Sequence, residues 1–105
     1  MLSLWLDDER SPPSSEWIWV KTAPDAIKAL HTSYFKVISL DHDLGDDSMG
    51  TGYDVLTYLE AQVFNNPNYR APEIRIHTAN AAARVRMALA AESIERKVRE
   101  SKPNP

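Results

Sequence analysis

The sequence predicts an α/β domain with a parallel sheet of about four strands in the order second, first, third, fourth (2-1-3-4). Two observations predict it. Short apolar runs alternate with segments of helical periodicity, the pattern of right-handed strand-helix-strand units. Three of the four apolar runs also end abruptly in charged or imidazole residues, at Asp7-Asp8, at Asp41-His42-Asp43 and at His77. In open parallel sheets ligands bind beyond the carboxyl ends of the strands, so these three ends are expected to share one rim.

Leu2 to Leu6 is a buried strand that stops at Asp7-Asp8-Glu9-Arg10. Ser11 to Ser15 holds Pro12 and Pro13 among serines and reads as an irregular loop, since proline removes backbone donors and blocks a full helix. Trp17 to Val20 is the second strand. Thr22, Pro24 and Asp25 have the form of a capped helix start, continued at helical spacing by Ala26, Ile27 and Leu30. Phe35 to Leu40 is the third strand and repeats the abrupt acidic end of the first.

The stretch from Gly45 to Gly52 holds all 3 glycines of the chain and predicts a flexible loop over the strand ends. A helix follows with Val55, Leu56, Leu59 and Val63 on one face, stopped by Asn65-Asn66-Pro67-Asn68. Ile74 and Ile76 alternate with Arg75 in a fourth strand ending at His77-Thr78. Asn80 then caps a last helix whose apolar stripe is expected to run through Val85, Ala88, Leu89, Ile94 and Val98. Residues 1–100 are expected to form a single domain, and 101–105 a flexible tail.

At 105 residues and 43% hydrophobic content the chain is sized for one core. A formal charge of -3 provides no positive field for duplex nucleic acid, so any phosphate recognition must be local. The absence of cysteine excludes disulfides, thiolate nucleophiles and sulfur-bound zinc. No run approaches the roughly 20 apolar residues of a membrane span, and the acidic turn after Leu6 does not suit a signal peptide, so a cytoplasmic location is expected. The sheet edges leave the oligomeric state open.

Asp7 and Asp8 diverge in a strand but can converge on one hard cation in a turn; alternatively they form a solvated pair that caps the strand. Asp41 and Asp43 can lie on one side of their segment, with His42 between them as a further ligand or as a ring packed under the glycine loop. Carboxylates from neighbouring strands suit Mg²⁺ or Mn²⁺. His77, Thr78 and Asn80 lie where a strand passes into a helix, where an anion can sit, although Thr and Asn also serve there as plain caps. Arg10 can clamp a phosphate with its guanidinium fork or pair with Glu9 or Asp8 at the surface. Trp5, Trp17 and Trp19 fall within strand runs, which favours packing over base stacking.

Two related families are similar to these residues. Asp7-Asp8, Asp41, the stretch Thr51-Gly52-Tyr53-Asp54-Val55-Leu56 and Thr78 resemble the receiver domains of response regulators, a flavodoxin-like three-layer fold in which an acidic pair and a later aspartate hold Mg²⁺. In that family the later aspartate takes up a phosphoryl group and a threonine or serine contacts it. This chain departs from the pattern: it has no fifth strand with the receiver lysine, a proline loop in place of the first helix, and the additional His42-Asp43 and His77. The departures resemble the cyclic-phosphate-processing receiver domain, matched at Leu6 to Arg10, Leu40 to Leu44 and His77 to Asn80.

That resemblance implies a truncated receiver-like domain acting as a metal-dependent phosphoesterase on a cyclic phosphate, either a 2′,3′-cyclic RNA end or a cyclic nucleotide. Asp7, Asp8, Asp41 and Asp43 are the expected metal set, and Arg10, Thr78 and Asn80 the expected phosphate contacts. Asp41, with His77 or His42 as proton donor, is expected to carry the chemistry. The alternatives are a receiver with Asp41 as phosphoacceptor, and a non-catalytic module that binds a phosphorylated ligand or a protein.

Overall fold

A computed structural model of the chain describes residues 2–101. The elements are β1 (Leu2–Leu6), β2 (Trp17–Val20), α1 (Ala23–Thr32), β3 (Phe35–Leu40), α2 (Gly52–Asn65), β4 (Glu73–Ile76) and α3 (Ala81–Ser101), with one turn of 3₁₀ helix at Asp47–Met49. The sheet is parallel in the order β2-β1-β3-β4, as the alternation of elements predicts. The expected tail begins inside the last turn of α3, at Ser101, and its remainder lies outside the described residues. Among the described residues no helix is long and apolar enough to cross a membrane.

Local chemistry sets the element ends. The Thr22 hydroxyl accepts from the Asp25 N–H at 3.1 Å and Pro24 fits the first turn, so α1 starts where the sequence places it. The Asp54 carboxylate accepts from the Thr51 N–H at 2.9 Å at the head of α2, and Asn80 Oδ1 accepts from the Ala83 N–H at 3.0 Å at the head of α3.

Leu4 and Leu6 of β1, Ile38 and Leu40 of β3 and Ile74 of β4 share one buried core with Ala26 and Leu30 of α1, Val55 and Leu59 of α2, and Met87 and Ile94 of α3. All three helices therefore cover one face of the sheet. Strand alternation puts Ser3, Trp5, Val37, Ser39 and Arg75 on the other face, in register across the strands. Where the receiver-like architecture has a helical layer on that face, this chain has the loop from Asp8 to Glu16. Trp5 Nε1 donates to the Arg10 carbonyl in this loop at 2.8 Å. Trp5 meets Trp17 edge-on, with centroids 5.7 Å apart.

Two expectations are corrected. The stripe on α3 does not run through Val85 and Leu89, which are 61% and 64% exposed, nor through Ala88, which is also exposed. Ile94 is buried as expected, but Ala83, Met87 and Ala91 share the buried face with it, because small side chains let α3 lie close to α2. The glycine segment is not uniformly a loop either. Gly45 and Gly50 do adopt φ of 102° and 70°, but Gly52 is the first residue of α2. A Cβ on Gly52 would meet the Asp41 carbonyl oxygen at 1.9 Å and Met87 Cε at 2.8 Å, so this glycine lets α2 start against the end of β3.

Candidate functional site at the carboxyl rim of the sheet

β1 and β3 are adjacent, and Leu6 pairs with Leu40, so Asp7 and Asp41 emerge side by side. The Asp41 N–H donates to the Leu6 carbonyl at 2.9 Å and the His77 N–H to the Leu40 carbonyl at 3.0 Å, which extends the ladder into the rim. Asp7, Asp8 and Asp41 each offer a carboxylate oxygen, and these atoms lie within 4.8 Å of one another. A cleft of about 550 Å³ opens there, lined by Asp7, Asp8, Glu9, Arg10, Asp41, Asp43, Gly45 and Ala79. That volume falls in the general range of small-molecule clefts.

Asp7 is 1% exposed and both of its oxygens are engaged. Oδ1 accepts from the Glu9 and Arg10 backbone N–H groups, each at 2.9 Å. Oδ2 accepts from Arg10 Nε at 3.1 Å and faces His77 Nε2 at 3.1 Å. Burial pushes the Asp7 carboxyl up. The two backbone donors, the His77 ring and the Arg10 charge outweigh it and hold the carboxyl below its ordinary value. A carboxylate has about four lone-pair positions, so Asp7 is saturated by the protein itself.

Asp41 Oδ1 accepts from the His42 N–H at 2.8 Å and lies 3.7 Å from Arg10 Nη2. Among the described residues no hydrogen-bond donor reaches Asp41 Oδ2 or the Asp8 carboxylate. Hard oxygen ligands with open positions, on two adjacent strand ends, could hold a divalent cation. Asp43 lines the same cleft but stands apart from the tight carboxylate group. Its side chain is 65% exposed and accepts from His42 Nδ1 at 2.8 Å. The His42 hydrogen bond is the main cause of the lowered Asp43 pKa, with Asn80 adding to it against slight burial.

His77 is held on three sides. Its ring stacks on Trp5 with centroids 3.9 Å apart and planes 5° from parallel. Nδ1 meets Ser39 Oγ at 2.7 Å while Nε2 faces Asp7. Burial lowers its pKa and outweighs the opposing pull of Asp7 and Asp41. In the neutral ring, Nε2–H donates to Asp7 and Nδ1 accepts from Ser39.

Neither His77 nor His42 lines the cleft. Each stands one hydrogen bond behind a carboxylate that does. Thr78 is 2% exposed, and its hydroxyl accepts from the Asn80 N–H at 3.2 Å. Arg84 Nη2 donates to the Thr78 carbonyl at 2.9 Å. The Asn80 side chain caps α3, so of this segment Ala79 alone borders the cleft. Residues the sequence reading passed over also build the site. Ser39 is a lone hydroxyl in an apolar run and therefore a readable signal. Trp19 Nε1 donates to the Asp7 carbonyl at 2.7 Å, which nothing in the local sequence announces.

A search of the curated proteins finds no match to this chain, and neither does a search of the solved structures. A family model described as the cyclic-phosphate processing receiver domain matches residues 2–93, a span that takes in all four strands, the aspartate cluster and His77. With the 2-1-3-4 parallel sheet and the acidic rim in place, the chain belongs to the cyclic-phosphate processing receiver domain family.

Proposed function

We propose that the domain is a metal-dependent phosphoesterase that opens a cyclic phosphate, on a 2′,3′-cyclic RNA end or a cyclic nucleotide. The observation that supports this reading is the convergence of Asp7, Asp8 and Asp41 with Arg10 in one cleft, an arrangement that would combine a hard-cation site with a phosphate clamp. A divalent cation held by Asp8 and Asp41, with Asp7 behind them and Asp43 at the margin, would supply Lewis-acid neutralisation of the phosphoryl charge and activate the attacking water.

The chain's own residues would do the rest. Arg10 presents a half-exposed guanidinium at the cleft wall and would hold nonbridging phosphate oxygens through its fork. Thr78 and Asn80 would shape the anion end beside Ala79 at the head of α3. Hydrolysis forms a bond from water oxygen to phosphorus and breaks the bond from phosphorus to one ribose oxygen, which must leave with a proton. His77 or His42 would supply that proton through an intervening water, since neither ring borders the cleft.

The test is incubation of the pure protein with a panel of cyclic nucleotides and cyclic-phosphate-ended RNA, with and without Mg²⁺ or Mn²⁺. Cation-dependent formation of the monoester is the expected result. No turnover of any member of the panel by cation-loaded protein would sink the reading, and a stable phosphoryl group on Asp41 would replace it with phosphoryl storage.

A further inference from the structure

Arg10 touches the aspartate cluster in a way a simple phosphate clamp does not require. Its Nε donates to Asp7 Oδ2 at 3.1 Å, and its Nη2 donates to the His77 carbonyl at 2.9 Å and lies 3.7 Å from Asp41 Oδ1. The guanidinium thus bridges the ends of β1, β3 and β4, while its side chain stays 54% exposed. The backbone of Arg10 is fixed separately, by its N–H on Asp7 Oδ1 and by Trp5 Nε1 on its carbonyl. The head group can therefore leave the aspartates without unravelling the loop that carries it.

We propose that Arg10 is a built-in competitor for the divalent cation, whose head group exchanges between the aspartates and the bound phosphate and so couples the two binding events. The inference rests on the metal-dependent reading above. Three carboxylates and one guanidinium leave a net charge of minus two, and a divalent ion balances it. A +1 and a +2 charge a few ångströms apart in a half-exposed site repel by several times the thermal energy, so the ion's arrival weakens the hold of Asp7 and Asp41 on Arg10. The guanidinium then needs other acceptors, and the nonbridging oxygens of a phosphate match its planar fork. The converse holds by linkage: a phosphate that draws Arg10 away opens the carboxylates to the cation.

The experiment is calorimetric titration of the intact protein with Mg²⁺ alone, then in the presence of inorganic phosphate, for the wild type, Arg10→Gln and Arg10→Lys. Arg10→Gln is expected to bind Mg²⁺ at least about fivefold more tightly than the wild type, with weaker enhancement by phosphate. Arg10→Lys, which keeps the charge, is expected to stay within about twofold of the wild type, and it provides the comparison should Arg10→Gln fail to fold. Unchanged or weaker Mg²⁺ binding by Arg10→Gln, or tightening by Arg10→Lys equal to that of Arg10→Gln, overturns the competition while leaving the metal site standing. A wild type that binds no Mg²⁺ at all overturns both.

Discussion

The indole of Trp5 and the imidazole of His77 lie face to face, 3.9 Å between centroids and 5° from parallel, although 72 positions of chain separate them. The stack joins the far face of the sheet to the aspartate cluster, because the same imidazole faces Asp7 and the same indole holds the Arg10 carbonyl.

Trp5→Phe keeps an aromatic ring against His77 but removes the N–H to Arg10. The expected cost is about 0.5–1.5 kcal/mol, the usual worth of one hydrogen bond. Chemical denaturation measures it. A loss well above that range would mean the indole does more than anchor the loop.

The lowered pKa of His77 gives stability a definite pH dependence. Below the ordinary value of 6.5 the unfolded chain takes up a proton that the folded chain resists. The contribution is therefore fully present above 6.5 and is lost as pH falls toward the folded value. In a chelator-containing buffer the Tm should drop as pH is lowered through this window, and His77→Gln should flatten the slope. A slope unchanged in that variant would assign the effect to other groups.

A divalent cation should raise the Tm, since it binds the folded state and relieves repulsion among the three carboxylates. Asp41→Asn should abolish most of the shift. Thermal melts with and without Mg²⁺ decide it, and a full shift in the variant removes Asp41 from the metal set.

For catalysis, His77→Ala or His42→Ala should lower cyclic-phosphate hydrolysis by at least about a hundredfold, within the usual range for a lost general acid. The cation-induced stabilisation should survive in the variant that acts. Steady-state rates for both, alongside their melts, make the comparison. Full activity in both would leave proton donation to water.

Gly52→Ala places a methyl group where the Asp41 carbonyl and Met87 already sit. Overpacking at such a point is expected to cost about 3 kcal/mol or more, because backbone rather than a mobile side chain must yield. A melt within a degree or two of wild type would show that α2 can shift freely.

Much of this arrangement was legible in the sequence, and the reason is geometric. Strand order and the shared rim follow from alternation and crossover handedness, so Asp7, Asp8, Asp41 and His77 could be grouped without coordinates. The fate of their hydrogen bonds could not. Whether Asp7 faces a metal or is filled by protein donors depends on the turn at residues 8–10 and on a ring 70 positions away. The phase of α3 is not legible in its apolar pattern, because large apolar residues stand on both its buried and its exposed faces. Close packing selected Ala83 and Ala91 over Val85 and Leu89.

The one-sided placement of the helices divides the molecule's tasks between two surfaces. Substitutions in the helical layer act on the shared core and so on the amount of folded protein. Substitutions among Trp5, Trp19 and Ser39, on the thin side, reach Asp7 or His77 within one or two contacts and bear little on that core. The aromatic side can therefore vary the geometry of the site, and with it the choice of ligand, while the helical side keeps the scaffold constant.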